Sequence, residues 1–218
     1  MDRPVPIRNR HGARDLLRVF VALACLAFSS TLHADFRLVE QTVDTPERGK
    51  VMSYLLMTDS NRFAFFPPPG WKLKLIANER KAIFSATNLT TSASVVISDP
   101  LPKGFDATRT NAWQELILQR YPDTQLLSVF SFPSGAGDGK AFDLKGVAAN
   151  NTYFLTRVVL VPVQGALLDF NLTCPPTAFD NAVQIFGRFV TSFHVGSLEP
   201  PERKNPSGTR PRSPNYTD

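Results

Sequence analysis

Histidine and cysteine are nearly missing from this 218-residue chain, with three of the first and two of the second. Two of the histidines, His11 and His33, and one cysteine, Cys25, fall within the first 34 residues, a segment that reads as a removable leader. Behind it stand one histidine, His194, and one thiol, Cys174. A single histidine excludes His-rich zinc sites and His–His metal pairs, along with most familiar hydrolase layouts. A single thiol excludes an intramolecular disulfide; Cys174 is expected to be an inert packing residue at a strand end, with pairing to another chain or an activated nucleophile as the alternatives. Long apolar runs are lacking too. The run Val19–Phe28 is far shorter than the roughly 20 residues that span a bilayer. The part that folds has no block of like charge, so a nucleic-acid footprint is not expected.

What the N-terminus does contain is ordered. Arg3, Arg8, Arg10, Arg14 and Arg18 precede the apolar run, and Ser29-Ser30-Thr31-Leu32-His33-Ala34 follows it. Positive start, short apolar core and small-residue exit are the pattern of a secretory signal peptide, with cleavage expected after Ala34. The expected localisation is therefore periplasmic or secreted, with membrane contact only through the uncleaved leader. The leader takes five of the 24 basic and two of the 19 acidic residues, which leaves 19 against 17. The working protein is thus far less basic than the whole-chain pI of 9.4 implies. Residues 35–196 are expected to form a single globular domain. Residues 197–218, with Pro200, Pro201, Pro206, Pro211 and Pro214 among charged and small polar residues, are expected to form a disordered tail.

Strands dominate the first half of that domain. Residues 36–43, 51–57, 62–66, 71–76, 82–87 and 93–98 read as strands, with turn chemistry at Asp59-Ser60-Asn61 and a stop at Pro67-Pro68-Pro69-Gly70. Residues 105–121 change to helical spacing through Trp113, Leu116 and Ile117, with Asp106 at the start and Pro122 at the end. Residues 124–132 and 141–147 follow as strands around Gly135-Ala136-Gly137-Asp138-Gly139. That glycine-rich stretch lacks the following helix and lysine–serine pair of a phosphate loop, so it reads as a flexible hairpin turn.

Residues 152–163 and 166–174 enclose Gln164-Gly165, the spacing of a tight hairpin. Pairing Val163 with Ala166 puts Tyr153, Leu155, Val159, Val161, Leu168, Phe170, Leu172 and Cys174 on one face, with Arg157 among them. A charge there requires a carboxylate partner or a route to solvent, so Arg157 is either half of a structural pair or a ligand contact. Finally, Phe179, Ala182, Val183, Phe186, Phe189, Val190 and Phe193 recur at helical spacing, Thr177 and Asp180 are placed as a capping box, and His194 reads as a helix-terminus residue. This stripe is expected to cover the apolar sheet face rather than to lie on lipid.

The motif Phe63-Ala64-Phe65-Phe66-Pro67-Pro68-Pro69-Gly70-Trp71 resembles the aromatic-Pro-x-Gly-Trp turn of the PsbP-like superfamily, which includes the photosystem extrinsic protein PsbP and the Ran-binding Mog proteins. The strand Ala93–Ser98 before the first long helix, the hairpin Val158–Thr173, and Thr191-Ser192-Phe193-His194-Val195 at the end are similar as well. The resemblance covers residues 62–195. It implies an α+β fold, an antiparallel β-sheet flanked by helices in an α/β/α sandwich, used as a non-catalytic binding or assembly module. No manganese-associated or Ran-contacting residue is placed on this chain by it.

The function expected is a non-enzymatic module of the cell envelope with a protein partner and no cofactor, metal or catalytic residue. A small-ligand or lipid binder using the cleft between the sheet and the Trp113 helix is the alternative, with Trp113 and Arg157 as possible binding residues. A carboxylate-only hydrolase built on Asp143 and Asp169 is a further one, although Asp169 is expected on the solvent side of its strand. Asn88, Asn150, Asn171 and Asn215 begin glycosylation acceptor patterns that matter only in a host with that machinery.

Overall fold

Apolar–polar alternation builds eleven strands, and helical spacing two α-helices, among the described residues of the computed structural model, which are 36–45, 49–88, 90–149 and 151–196. The expected leader and proline-rich tail lie outside them. The chain runs β1 (Arg37–Thr45), β2 (Gly49–Met57), β3 (Arg62–Phe65), β4 (Lys72–Ile76), β5 (Lys81–Ser85), β6 (Ser92–Ser98), α1 (Thr110–Arg120), β7 (Gln125–Ser134), β8 (Gly137–Val147), β9 (Tyr153–Val163), β10 (Ala166–Cys174), α2 (Phe179–Thr191) and β11 (His194–Val195). No helix among the described residues is long and apolar enough to cross a membrane.

The fold is α+β, but it has two sheets where the sequence pattern indicated one. β4–β5–β6–β10–β9–β8–β7 form a seven-stranded antiparallel sheet, and β1–β2–β3–β11 a separate four-stranded one. The Pro67–Gly70 break separates them. Pro69 and Gly70 occupy the two central positions of a turn closed by the Trp71 N–H donating to the Pro68 carbonyl at 3.2 Å. Gly70, with φ +73°, takes the left-handed position that such a turn demands.

A helix packs on each face of the large sheet. The β9–β10 register is the expected one, Val163 opposite Ala166 through Cys174 opposite Leu155. Val159, Val161, Leu168, Phe170 and Leu172 therefore face α2 and are buried. The phenylalanine ridge closes over them as expected. Phe189 is packed among Phe65, Phe84, Phe170, Phe186 and Phe193 at centroid distances of 4.7–6.3 Å. Phe65 of the small sheet stacks on Phe193 at 4.5 Å, so this ridge welds the two sheets. On the opposite face α1 lays Trp113 and Ile117 on Phe142, Leu144, Val158, Leu160 and Leu167.

Several local expectations are corrected. Helix α1 starts at Thr110 rather than Phe105, because Asp106 closes its own turn, accepting from the Thr108 N–H at 3.0 Å and hydroxyl at 2.6 Å. The Thr177–Asp180 capping box does not form. Thr177 lies in a short 3₁₀ turn, Pro176–Ala178, and Ala178 is the N-cap with no side-chain bond. His194 does not end a helix; it pairs with Ala64 in β11. The glycine-rich stretch is mostly strand. Ser134 pairs with Gly137, so only Gly135 and Ala136 turn, and Gly139 lies within β8.

Candidate functional site

The charges that the sequence singled out are already matched inside the fold. Asp143 and Arg157 stand opposite one another on β8 and β9. The Arg157 Nε and Nη2 atoms donate to the two Asp143 oxygens at 2.7 and 2.8 Å, and Ser128 donates a third bond at 2.9 Å. The guanidinium carbon also lies 4.9 Å from the Phe130 ring centre and 5.5 Å from that of Phe179, a cation–π arrangement under the start of α2. Arg157 is thus committed on both its fork and its faces.

Asp169 corrects its expected placement. It lies on the side of the sheet opposite Asp143, but not in open solvent: the last residue of α1, Arg120, donates to its Oδ2 at 2.7 Å. The other oxygen, Oδ1, is buried with no hydrogen-bond partner. Burial pushes the Asp169 carboxyl up to about 6 despite the pull of Arg120, because only one of its oxygens is bonded. Beside it the Asn171 amide donates to the Tyr121 hydroxyl at 2.8 Å, and burial pushes that phenol up to about 12. Asn171 is half-buried and spoken for, which removes it as a glycosylation acceptor. With a sheet between them and an arginine on each, Asp143 and Asp169 do not face one cleft, so this pair does not form the site of a carboxylate-only hydrolase.

Trp113 is buried, its indole N–H donating to the Ala107 carbonyl at 2.9 Å and its ring edge-on to Phe105 at 4.9 Å. The α1–sheet interface is therefore packed rather than open. A cavity of about 430 Å³ does exist at the helix's N-terminal end, bounded by Trp113, Ser131, Pro133, Asp138, Lys140 and Pro162. Proline placement opens it. Val163 and Ala166 close the hairpin, so the alternation of the ladder turns the position-162 nitrogen toward β8, where proline has no hydrogen to give. β8–β9 pairing accordingly ends at Leu160.

A larger groove, about 590 Å³, was not legible in the sequence. Pro67, Pro68 and Pro69 form one wall, Ile185 and Phe189 of α2 the other, with Phe66 between them. The Ser192 hydroxyl ties the walls together, accepting from the Phe66 N–H at 3.1 Å and donating to the Phe189 carbonyl at 2.7 Å. Arg188 stands exposed at the rim, in no ion pair among the described residues. The cue was the triple proline, whose fixed φ and missing N–H make a rigid, unpaired wall. Its distance in sequence from Ile185 hid the pairing.

Among solved structures, the chain is similar to the Ran-binding protein Mog1p of Saccharomyces cerevisiae, with 12% identity over 72% of this chain and 96% of that chain and a TM-score of 0.47. It is similar to cyanobacterial PsbP (CyanoP) from Synechocystis sp. PCC 6803, with 16% identity over 77% and 96% and a TM-score of 0.45. LpqN, involved in cell envelope biogenesis of Mycobacterium tuberculosis, aligns with 13% identity over 75% and 94% and a TM-score of 0.37. No family model matches, and no curated protein matches. These similar structures include a PsbP and a Mog protein, the proteins whose motifs the sequence resembles.

Proposed function

We propose that this chain is an exported, non-enzymatic binding module of the cell envelope that engages a protein partner through the proline-walled groove. The observation that carries the reading is the groove itself: rigid apolar walls, a volume in the range of binding sites and, among the described lining residues, one exposed cation, Arg188. Such a surface holds a partner's apolar side chains by burial and orients them by one charge. The leader pattern of residues 1–34 supports export. A photo-crosslinking residue at Pro68, placed in the full chain in its own cells, yields a defined adduct, whereas one on the far side of α1, at Leu118, yields none. Adducts of equal pattern from both positions, or turnover of a substrate abolished by one groove substitution, overturn the reading.

The 430 Å³ cavity beside Trp113 favours a second reading, a small-ligand binder. Its test is native mass spectrometry of gently purified protein: a retained mass lost on Lys140→Ala supports it, and a bare protein mass rejects it.

A further inference from the structure

The seven-stranded sheet has two edges, and they are built differently. β7 carries Pro133 and a register shift between Leu126 and Ser128, both of which spoil an added strand. β4, at the other end, pairs with β5 alone and has neither proline nor bulge. Its two faces are sorted by alternation. Leu73 and Leu75 are half-buried against the main core, while Lys72 and Lys74 are exposed on the other face. Lys81 of β5 points the same way, since it stands opposite Ile76.

That second face is left open over β4–β6. Helix α1 covers Phe142, Leu144, Val158, Leu160 and Leu167, which belong to β8, β9 and β10; no residue of β4, β5 or β6 belongs to that cluster. The exposed Lys72 and Lys74 form no ion pair among the described residues. Lys81 acts on Asp169 only at a distance. Among the described residues of β4, β5, β6 and their neighbour β10, Asp169 is the one carboxylate, and it is already engaged by Arg120; Glu79 and Asp99 lie beyond the strand ends, and Asp138 of β8 borders the cavity beside Trp113. The small sheet's edge strand β1 instead mixes Arg37 with Glu40 and Asp44, so it selects no sign of charge.

We infer that β4 is a docking edge for an extended segment of a protein partner in which acidic and apolar side chains alternate. Added beside β4 as an eighth strand, such a segment takes ladder hydrogen bonds from the free edge of Lys72–Ile76. Its carboxylates fall opposite Lys72 and Lys74, and its apolar side chains cover the open flanks of Leu73 and Leu75. Lysine on an edge strand is also a device against unwanted pairing. The two roles differ in one respect: a purely protective edge takes up no added strand as an ordered ladder, whereas a docking edge takes up an acidic one and protects its own amides in doing so.

The inference rests on the reading of this chain as a binding module and not on the groove. The test uses the full chain with a labelled ten-residue peptide alternating Glu and Val, and a second alternating Lys and Val. Fluorescence anisotropy is expected to show the acidic peptide binding at least tenfold more tightly than the basic one, weakening as salt rises. Amide hydrogen exchange is expected to slow at Lys72–Ile76, and Lys72→Glu with Lys74→Glu to reverse the preference. Both lysines are exposed, so that variant leaves the core intact. Equal binding of the two peptides, protection at another edge, or an unchanged preference in the variant overturns the proposal. Protection at β4 alongside failed crosslinking at Pro68 removes the groove and leaves the edge; the converse removes the edge and leaves the groove.

Discussion

Asp143 and Arg157 occupy directly opposed positions on β8 and β9 and share two hydrogen bonds of 2.7 and 2.8 Å, on the face of the sheet that α2 covers. Both side chains are largely shielded, with 15% and 16% of their surface exposed. Arg157→Ala leaves a shielded carboxylate held only by Ser128 and is expected to cost about 3–5 kcal/mol, the range for removing one partner of a buried pair. Replacing both residues by leucine is expected to cost markedly less. Urea unfolding of the two variants checks this; equal losses would mean that the stranded charge is not the source of the cost.

Asp169 gives the stability a pH dependence of unusual sign. Its folded carboxyl titrates at about 6 against an ordinary 3.8. Over the interval between those values the folded state holds the proton more tightly than the unfolded state, so stability falls as pH rises through that window. The displacement corresponds to roughly 3 kcal/mol, present as a penalty above pH 6 and absent below pH 4. Asp169→Asn keeps an acceptor for Arg120 and removes the titration. The difference in unfolding free energy between wild type and variant is expected to widen from pH 4 to pH 6.5, in favour of the variant. Parallel pH profiles would refute the assignment.

Two glycines predict opposite outcomes for the same substitution. A Cβ at Gly139 would sit 2.6 Å from the Leu160 carbonyl oxygen and 2.9 Å from Val161 Cγ2, so β8 and β9 must part; Gly139→Ala is expected to cost about 1–3 kcal/mol. At Gly187, within α2, the nearest atom is Phe132 Cζ at 3.8 Å, an ordinary contact. Gly187→Ala is expected to stabilise by about 0.5–1 kcal/mol through helix propensity. Thermal denaturation decides both, and a loss at Gly187 matching that at Gly139 would contradict the packing described.

Cys174 is buried, and burial pushes its thiol up to about 11. Thiolate is the reactive form, so native protein at pH 8 is expected to resist a disulfide-exchange reagent that labels it promptly in urea. Prompt native labelling would show a thiol open to pairing with another chain.

How far the sequence reaches is visible in particular residues. Gln164-Gly165 between two apolar-rich runs was enough for the β9–β10 register, because strand alternation assigns every side chain to a face once the hairpin is closed. The spacing from Phe179 to Phe193 was likewise enough for α2 and for its burial, since no other surface was available to so broad an apolar stripe. Alternation alone also put Arg157 on the covered face and called for a partner.

Which partner it found depended on the β8–β9 register, a relation between strands that no local pattern specifies. The addition of β11 to β3 in the small sheet, the capture of Asp169 by Arg120 and the groove between Pro67–Pro69 and α2 each join residues about 50 or more positions apart. Local chemistry determined the elements and the faces they bury, because propensity, turn residues and periodicity act over a few positions. Tertiary structure alone decided which faces met, which charges paired and where the surface stayed open, because those outcomes follow from packing the whole core at once.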